Sequence, residues 1–190
     1  MSRNLQSAVF LDWDGTITRL AGYVTKPCQL EIIPGAFESL VRLARVGFHC
    51  VLVTNQSAVG RGMVTVEMLS EIHVELQRLL EAGGARLDAI YDCPLAPGTD
   101  DESVIEHPDR KPGPGMLLKA AADLRVDLSR SWMVGDRLSD VLAGVNAGCR
   151  SIRVRTGHQY PDPVPSVCCD YVTLDSVREA ADYILSESES

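Results

Sequence analysis

Apolar residues fall along this chain in short, nearly continuous runs, separated by longer stretches where they recur every three or four positions. The runs cover residues 8–11, 48–53, 87–91, 132–134 and 151–154. Each is continuous enough to suit a strand buried on both faces of a parallel sheet. The helical spacing covers residues 35–46, 65–82, 114–124, 138–147 and 175–185. Gly47 and the Gly83-Gly84 pair stop two of these segments, and Thr65 stands as an N-cap just ahead of Glu67. The closing Ser-Glu-Ser-Glu-Ser is expected to fray. Strict alternation of strand and helix predicts a doubly wound, Rossmann-like α/β sheet with right-handed crossovers. Ligands bind such sheets at the carboxyl ends of the strands. No internal repeat or second domain is visible, so residues 1–190 read as one domain.

Composition narrows the class without changing this picture. The 190 residues are 45% hydrophobic and 23% charged, which suits a globular chain with one sizeable core. No apolar run approaches the ~18 residues of a membrane span, and the N-terminus enters a strand pattern too soon for a signal peptide. A cytoplasmic location is therefore expected. Six cysteines (Cys28, Cys50, Cys93, Cys149, Cys168, Cys169) are scattered and do not resemble a disulfide framework. A formal charge of −8 argues against nucleic acid or an anionic membrane as partners. No interface between subunits is evident, and a monomer is expected.

The candidate chemistry lies where the predicted strands end. The first runs into Asp12-Trp13-Asp14-Gly15-Thr16, and residues two apart on an extended chain point to one side. The fourth ends in Gly135-Asp136-Arg137-Leu138-Ser139-Asp140. A lone Asp after a strand is commonly a turn residue, but two acidic clusters at strand ends gather carboxylates that repel one another. An all-oxygen set of this kind suits a hard cation, magnesium. The second strand ends in Thr54-Asn55-Gln56-Ser57, with Arg61 between glycines, a plausible anion cradle. Arg110-Lys111-Pro112 adds a point charge for a phosphoryl oxygen and a planar guanidinium for a second anion.

In this order and spacing the four segments resemble the haloacid dehalogenase superfamily of phosphohydrolases, over residues 8–157. The resemblance implies Asp12 as the nucleophile and Asp14 as the acid and base. It implies Thr54 and Lys111 as stabilisers of the transferred phosphoryl group. Magnesium would be held by Asp12, the Asp14 carbonyl and Asp136, with Asp140 orienting nearby groups. Strands and crossover helices consume the intervals between motifs, so the fold should be capless, with an open site fringed by residues 19–34 and 93–110. Within the superfamily, Ala21-Gly22-Tyr23-Val24, TNQSAVGRG, RKPGPGM, MVGDRLSD and VRTGH look like the heptose 1,7-bisphosphate phosphatases of nucleotide-activated heptose biosynthesis. The related histidinol-phosphate phosphatases are the alternative.

That family would place a small sugar bisphosphate on Leu20, Ala21, Gly22, Tyr23, Thr54, Asn55, Gln56, Ser57, Arg110 and Lys111. Its members often carry a four-ligand zinc loop. Here Leu95 replaces one ligand, leaving Cys93, His107 and Asp109, one short of a closed structural site. Magnesium is therefore the expected cofactor, and structural zinc is not. Trp13 also departs from the family pattern, at a position expected to point away from the crevice. A non-enzymatic magnesium-binding response module would share strand-end aspartates and a lysine, but has no use for a second acid/base Asp.

Overall fold

The computed structural model describes residues 5–20, 22–158 and 169–188. Six parallel strands form one sheet: β1 (Ala8–Leu11), β2 (His49–Asn55), β3 (Ala89–Cys93), β4 (Trp132–Gly135), β5 (Arg150–Val154) and β6 (Val172–Leu174). Their spatial order is β3-β2-β1-β4-β5-β6. The chain winds outward one way from β1 and the other way from β4, so the topological switch lies between these two strands.

Side chains alternate faces along each central strand. Val9, Leu11, Cys50, Leu52, Trp132 and Val134 face a core filled by α1 (Ala36–Arg45), α3 (Val66–Ala82) and α6 (Val177–Ser188). Ala8, Phe10, Val51, Val53 and Met133 face a second core under α4 (Gly115–Leu124) and α5 (Leu138–Ala147). Both faces being covered is why these strands read as nearly continuous apolar runs. Thr65 caps α3 by accepting a hydrogen bond from the Met68 N–H at 3.1 Å. A short helix α2 (Ser57–Gly60) follows β2 directly.

The structure moves several expected boundaries. β3 begins and ends two residues later than the apolar run, because it is an edge strand whose Asp92 faces outward. β2 extends through Thr54 and Asn55, which places both in the sheet rather than in a loop. β6 has no counterpart in the expected pattern. α6 continues through Ser188, so residues 186–188 are helical rather than frayed, with Glu187 paired to Arg150 at 2.5 Å. The last two residues, Ala21 and Cys168 lie outside the described residues. Among the described residues, a three-residue 3-10 turn (Pro27–Gln29) is the only further element between β1 and α1, and the β3–α4 connection has none. No helix is long and apolar enough to cross a membrane, among the described residues.

Candidate active site

The switch point brings the two acidic segments together. Leu11 pairs with Val134 across adjacent strands, and the Asp12 N–H donates to the Val134 carbonyl at 2.9 Å. Asp12 and Asp136 therefore leave neighbouring strands side by side. Lys111 reaches the same point from the β3–α4 connection. Its Nζ donates to Asp12 Oδ1 at 2.5 Å and to the Val53 carbonyl at 2.8 Å, and lies 2.6 Å from Asp140 Oδ1. Asp12, Lys111, Asp136 and Asp140 are all buried.

Burial dominates the electrostatics. It pushes the Asp12 carboxyl well above its usual range, against the opposing pull of Lys111 and with help from Asp140 and Asp136. Asp140 is raised for the same reason, again against Lys111. Asp14 is pushed up to about 7 by burial and by the Asp136 charge. For Lys111 burial acts to lower the pKa, but the two carboxylates outweigh it and hold the ammonium above its ordinary value. Four carboxylates sharing one lysine form a site with an excess of negative charge and room for a cation.

Asp12, Asp136 and Asp140 offer ligand atoms within 4.8 Å of one another, the one such group among the described residues. Asp136 supports the fit most directly. Its Oδ2 accepts from the His158 backbone N–H at 2.7 Å and sits 2.8 Å from His158 Nδ1, whereas its buried Oδ1 has no hydrogen-bond partner. A buried carboxylate oxygen is seldom left orphaned, and a hard cation satisfies it. Asp14 does not join this group through its side chain. Asp140, expected only to orient its neighbours, does join it, and also accepts from the Arg137 N–H at 2.9 Å.

Backbone geometry presses on the same carboxylate. Gly15 has φ +82°, and a Cβ there would meet Asp136 Oδ2 at 2.6 Å. Gly157 is closer still, since a Cβ on it would overlap that oxygen. Thr156 Oγ1 donates to the Gly15 carbonyl at 2.6 Å, tying the segment after β5 to the segment after β1.

The second-strand motif turns out to be largely a scaffold. Asn55 Nδ2 donates to the Lys111 carbonyl and Asn55 Oδ1 accepts from the Lys111 N–H, each at 3.0 Å. Gln56 Nε2 donates to Thr54 Oγ1 at 3.0 Å, which leaves the threonine's own hydrogen for a ligand. Ser57 Oγ accepts from Arg110 Nη1 at 3.2 Å, and the same nitrogen donates to the Leu95 carbonyl at 2.6 Å.

These residues open into a cavity of about 380 Å³. Leu20, Gly22 and Tyr23 line it, as do several residues between Pro97 and Glu106. Arg61, Arg110, Lys111 and Arg137 all line it, so cations do converge locally in an acidic protein. Trp13 faces the opposite way, fully buried, with its ring 5.3 Å from that of His73. Cys93, His107 and Asp109 do not form a second ligand group among the described residues. Cys93 is buried in the core, which pushes its thiol up, and His107 Nδ1 accepts from the Asp109 N–H at 3.1 Å. Two residues escaped the sequence reading. His158 was signalled only by the VRTGH segment, and Glu102 by nothing beyond an acidic loop.

A family model described as HAD-hyrolase-like matches residues 109–180. The chain is 41% identical over 155 residues to a D-glycero-D-manno-heptose-1,7-bisphosphate 7-phosphatase of Thermosynechococcus vestitus, covering 79% of each. It is 36% identical over 193 residues to the Chlorobaculum tepidum protein of the same name, covering 96% of each. Among solved structures, a D,D-heptose 1,7-bisphosphate phosphatase from B. bronchiseptica, complexed with magnesium and phosphate, superposes with a TM-score of 0.79. That match has 30% identity and covers 95% of this chain and 99% of the other. The chain is an enzyme belonging to the heptose 1,7-bisphosphate phosphatase family of haloacid dehalogenase-type hydrolases.

Proposed function

We propose that this enzyme removes the C7 phosphate of D-glycero-D-manno-heptose 1,7-bisphosphate, with Asp12 as its nucleophile. The observation that carries the reading is the Asp12–Lys111 contact at the floor of a cavity whose walls bear three further cations. One phosphate has a reacting centre to enter, and a second has arginines to meet. The names of the relatives support the substrate.

The chemistry follows from the positions of the side chains. Asp12 attacks phosphorus through a carboxylate oxygen as the bond from phosphorus to the sugar oxygen breaks. Lys111 and the Thr54 hydroxyl bind the equatorial oxygens, where charge spreads in a loose transition state. Asp14 lines the cavity with Asp12 and Lys111 and gives its proton to the departing sugar oxygen. It then takes a proton from the water that attacks the aspartyl phosphate, releasing inorganic phosphate and restoring Asp12. Asp12, the Asp14 carbonyl and Asp136 would hold magnesium, which when bound neutralises the repulsion between carboxylate and phosphate.

Arg110 is the candidate for the distal phosphate or the sugar. A cytoplasmic, monomeric protein with no nucleic-acid or membrane partner fits the acidic charge and remains part of this proposal. Hydrolysis rates on heptose 1,7-bisphosphate and histidinol phosphate test the substrate. Faster turnover of histidinol phosphate would overturn it and leave the phosphatase chemistry standing.

A further inference from the structure

The β3–α4 connection carries an acid into a cleft built for anions. Glu102 Oε1 meets Arg137 Nη1 at 2.5 Å, and the Ser139 N–H in the first turn of α5 donates to Glu102 Oε2 at 3.4 Å. One carboxylate thus bridges a guanidinium and a helix N-terminus, the two groups that most favour a phosphate oxygen. The guanidinium is fixed relative to the reacting centre. Its Nη2 sits 2.5 Å from His158 Nε2, and His158 Nδ1 sits 2.8 Å from Asp136 Oδ2. Glu102 and Arg137 line the same cavity as Asp12, Lys111 and Arg110.

Two other acids of this loop bond within it, and Glu106 Oε2 also lies 4.0 Å from Arg110 Nε. Asp101 Oδ1 accepts from the N–H and hydroxyl of Ser103, and Glu106 Oε1 accepts from the Gly98 N–H. Glu102 instead reaches across to α5. Its connection has no helix or strand among the described residues, so withdrawing it disturbs no regular element.

We infer that Glu102 occupies the anion seat formed by Arg137 and the Ser139 N–H and competes for it with the substrate's second phosphate. The identity of that substrate rests on the function proposed above, whereas the role of Glu102 does not. A phosphate dianion outcompetes a single carboxylate at a guanidinium and a helix N-terminus. A neutral end cannot, and leaves Glu102 in place. Glu102 therefore lowers affinity chiefly for bisphosphates, which must break its contacts with Arg137 and Ser139 before they can use the seat.

Glu102→Gln keeps the side chain's size and removes its charge. In that variant the KM for heptose 1,7-bisphosphate should fall about two- to fivefold, the range of a partly exposed ion pair. The inhibition constant of fructose 1,6-bisphosphate against p-nitrophenyl phosphate hydrolysis should fall by a similar factor. In an Arg137→Gln background, adding Glu102→Gln should leave that inhibition constant where it was, because the seat is already lost. A residue that merely anchors the loop gives the opposite sign. A rise, or no change, in the fructose 1,6-bisphosphate constant for the single variant overturns the inference. A wild-type enzyme inert toward the heptose bisphosphate overturns the substrate reading alone, since the inhibition arm reads Glu102 without it.

Discussion

Asn55 holds Lys111 by its main chain, with both ends of the amide engaged at 3.0 Å. Asn55 is the last residue of β2 and Lys111 lies far along the sequence, so this pair converts the rigidity of the sheet into the position of the lysine. Displacing a charged group by about 1 Å from its place against a transferring phosphate lowers turnover by roughly 100-fold. Asn55→Ala should therefore lower kcat by about ten- to a hundredfold, through the loss of its hold on Lys111. Asn55→Asp should be at least as damaging, because it removes the donor to the Lys111 carbonyl. Steady-state kinetics on p-nitrophenyl phosphate, with circular dichroism to verify folding, checks both.

Gly157 should matter through the metal. A Cβ at that position overlaps Asp136 Oδ2, so Gly157→Ala must move the carboxylate, the loop or both. Changes behind a ligand commonly weaken metal binding about 10- to 100-fold. The magnesium concentration giving half-maximal activity should rise by that order, with activity recovered at high magnesium. An unchanged magnesium dependence would show that Asp136 is not a ligand.

Metal removal separates the two candidate ions. EDTA should abolish activity and added magnesium should restore it, since an ion held by carboxylate and carbonyl oxygens exchanges readily. Zinc in the purified protein should be well below one equivalent, because Cys93, His107 and Asp109 do not converge on one point. Elemental analysis beside the recovery assay checks this.

Arg110→Ala should discriminate between substrates. A charge-assisted hydrogen bond contributes about 1.5–3 kcal/mol, on the order of ten- to a hundredfold in kcat/KM. The loss should fall mainly on the heptose bisphosphate and less on p-nitrophenyl phosphate, which has no distal anion. Equal losses would show that Arg110 acts only by holding Leu95 and Ser57.

The sequence made the centre of the molecule legible and left its periphery obscure, for a physical reason. β1, β2 and β4 are covered on both faces, so residues 8–11, 50–53 and 132–134 are all apolar and the pattern is unmistakable. β3 and β6 lie at the edges, where Asp92 is tolerated in one and half-buried residues make up the other, and their ends or existence could not be read. The site divided the same way. Asp12, Asp14, Thr54, Lys111 and Asp136 sit in or directly after strands or in compact motifs, and the structure brings them to one cavity or its floor. His158 and Glu102 gain their meaning from long-range contacts with Asp136 and Arg137, which no local spacing encodes. Cys93 carries ligand chemistry but is buried in the core at the end of a strand.

Trapping the phosphorylated enzyme decides whether Asp12 is the nucleophile. The Asp14→Asn variant lacks the group assigned to activate water, so the second half of the reaction should be slowed. With p-nitrophenyl phosphate the leaving phenolate needs little help from an acid, and the first half should still proceed. Acid-quenched Asp14→Asn protein, digested and weighed by mass spectrometry, should show the peptide bearing Asp12 heavier by one phosphoryl group. The label should vanish when Asp12→Asn is combined with it. Phosphate on a different residue, or steady hydrolysis by Asp12→Asn protein at near the normal rate, would contradict the account.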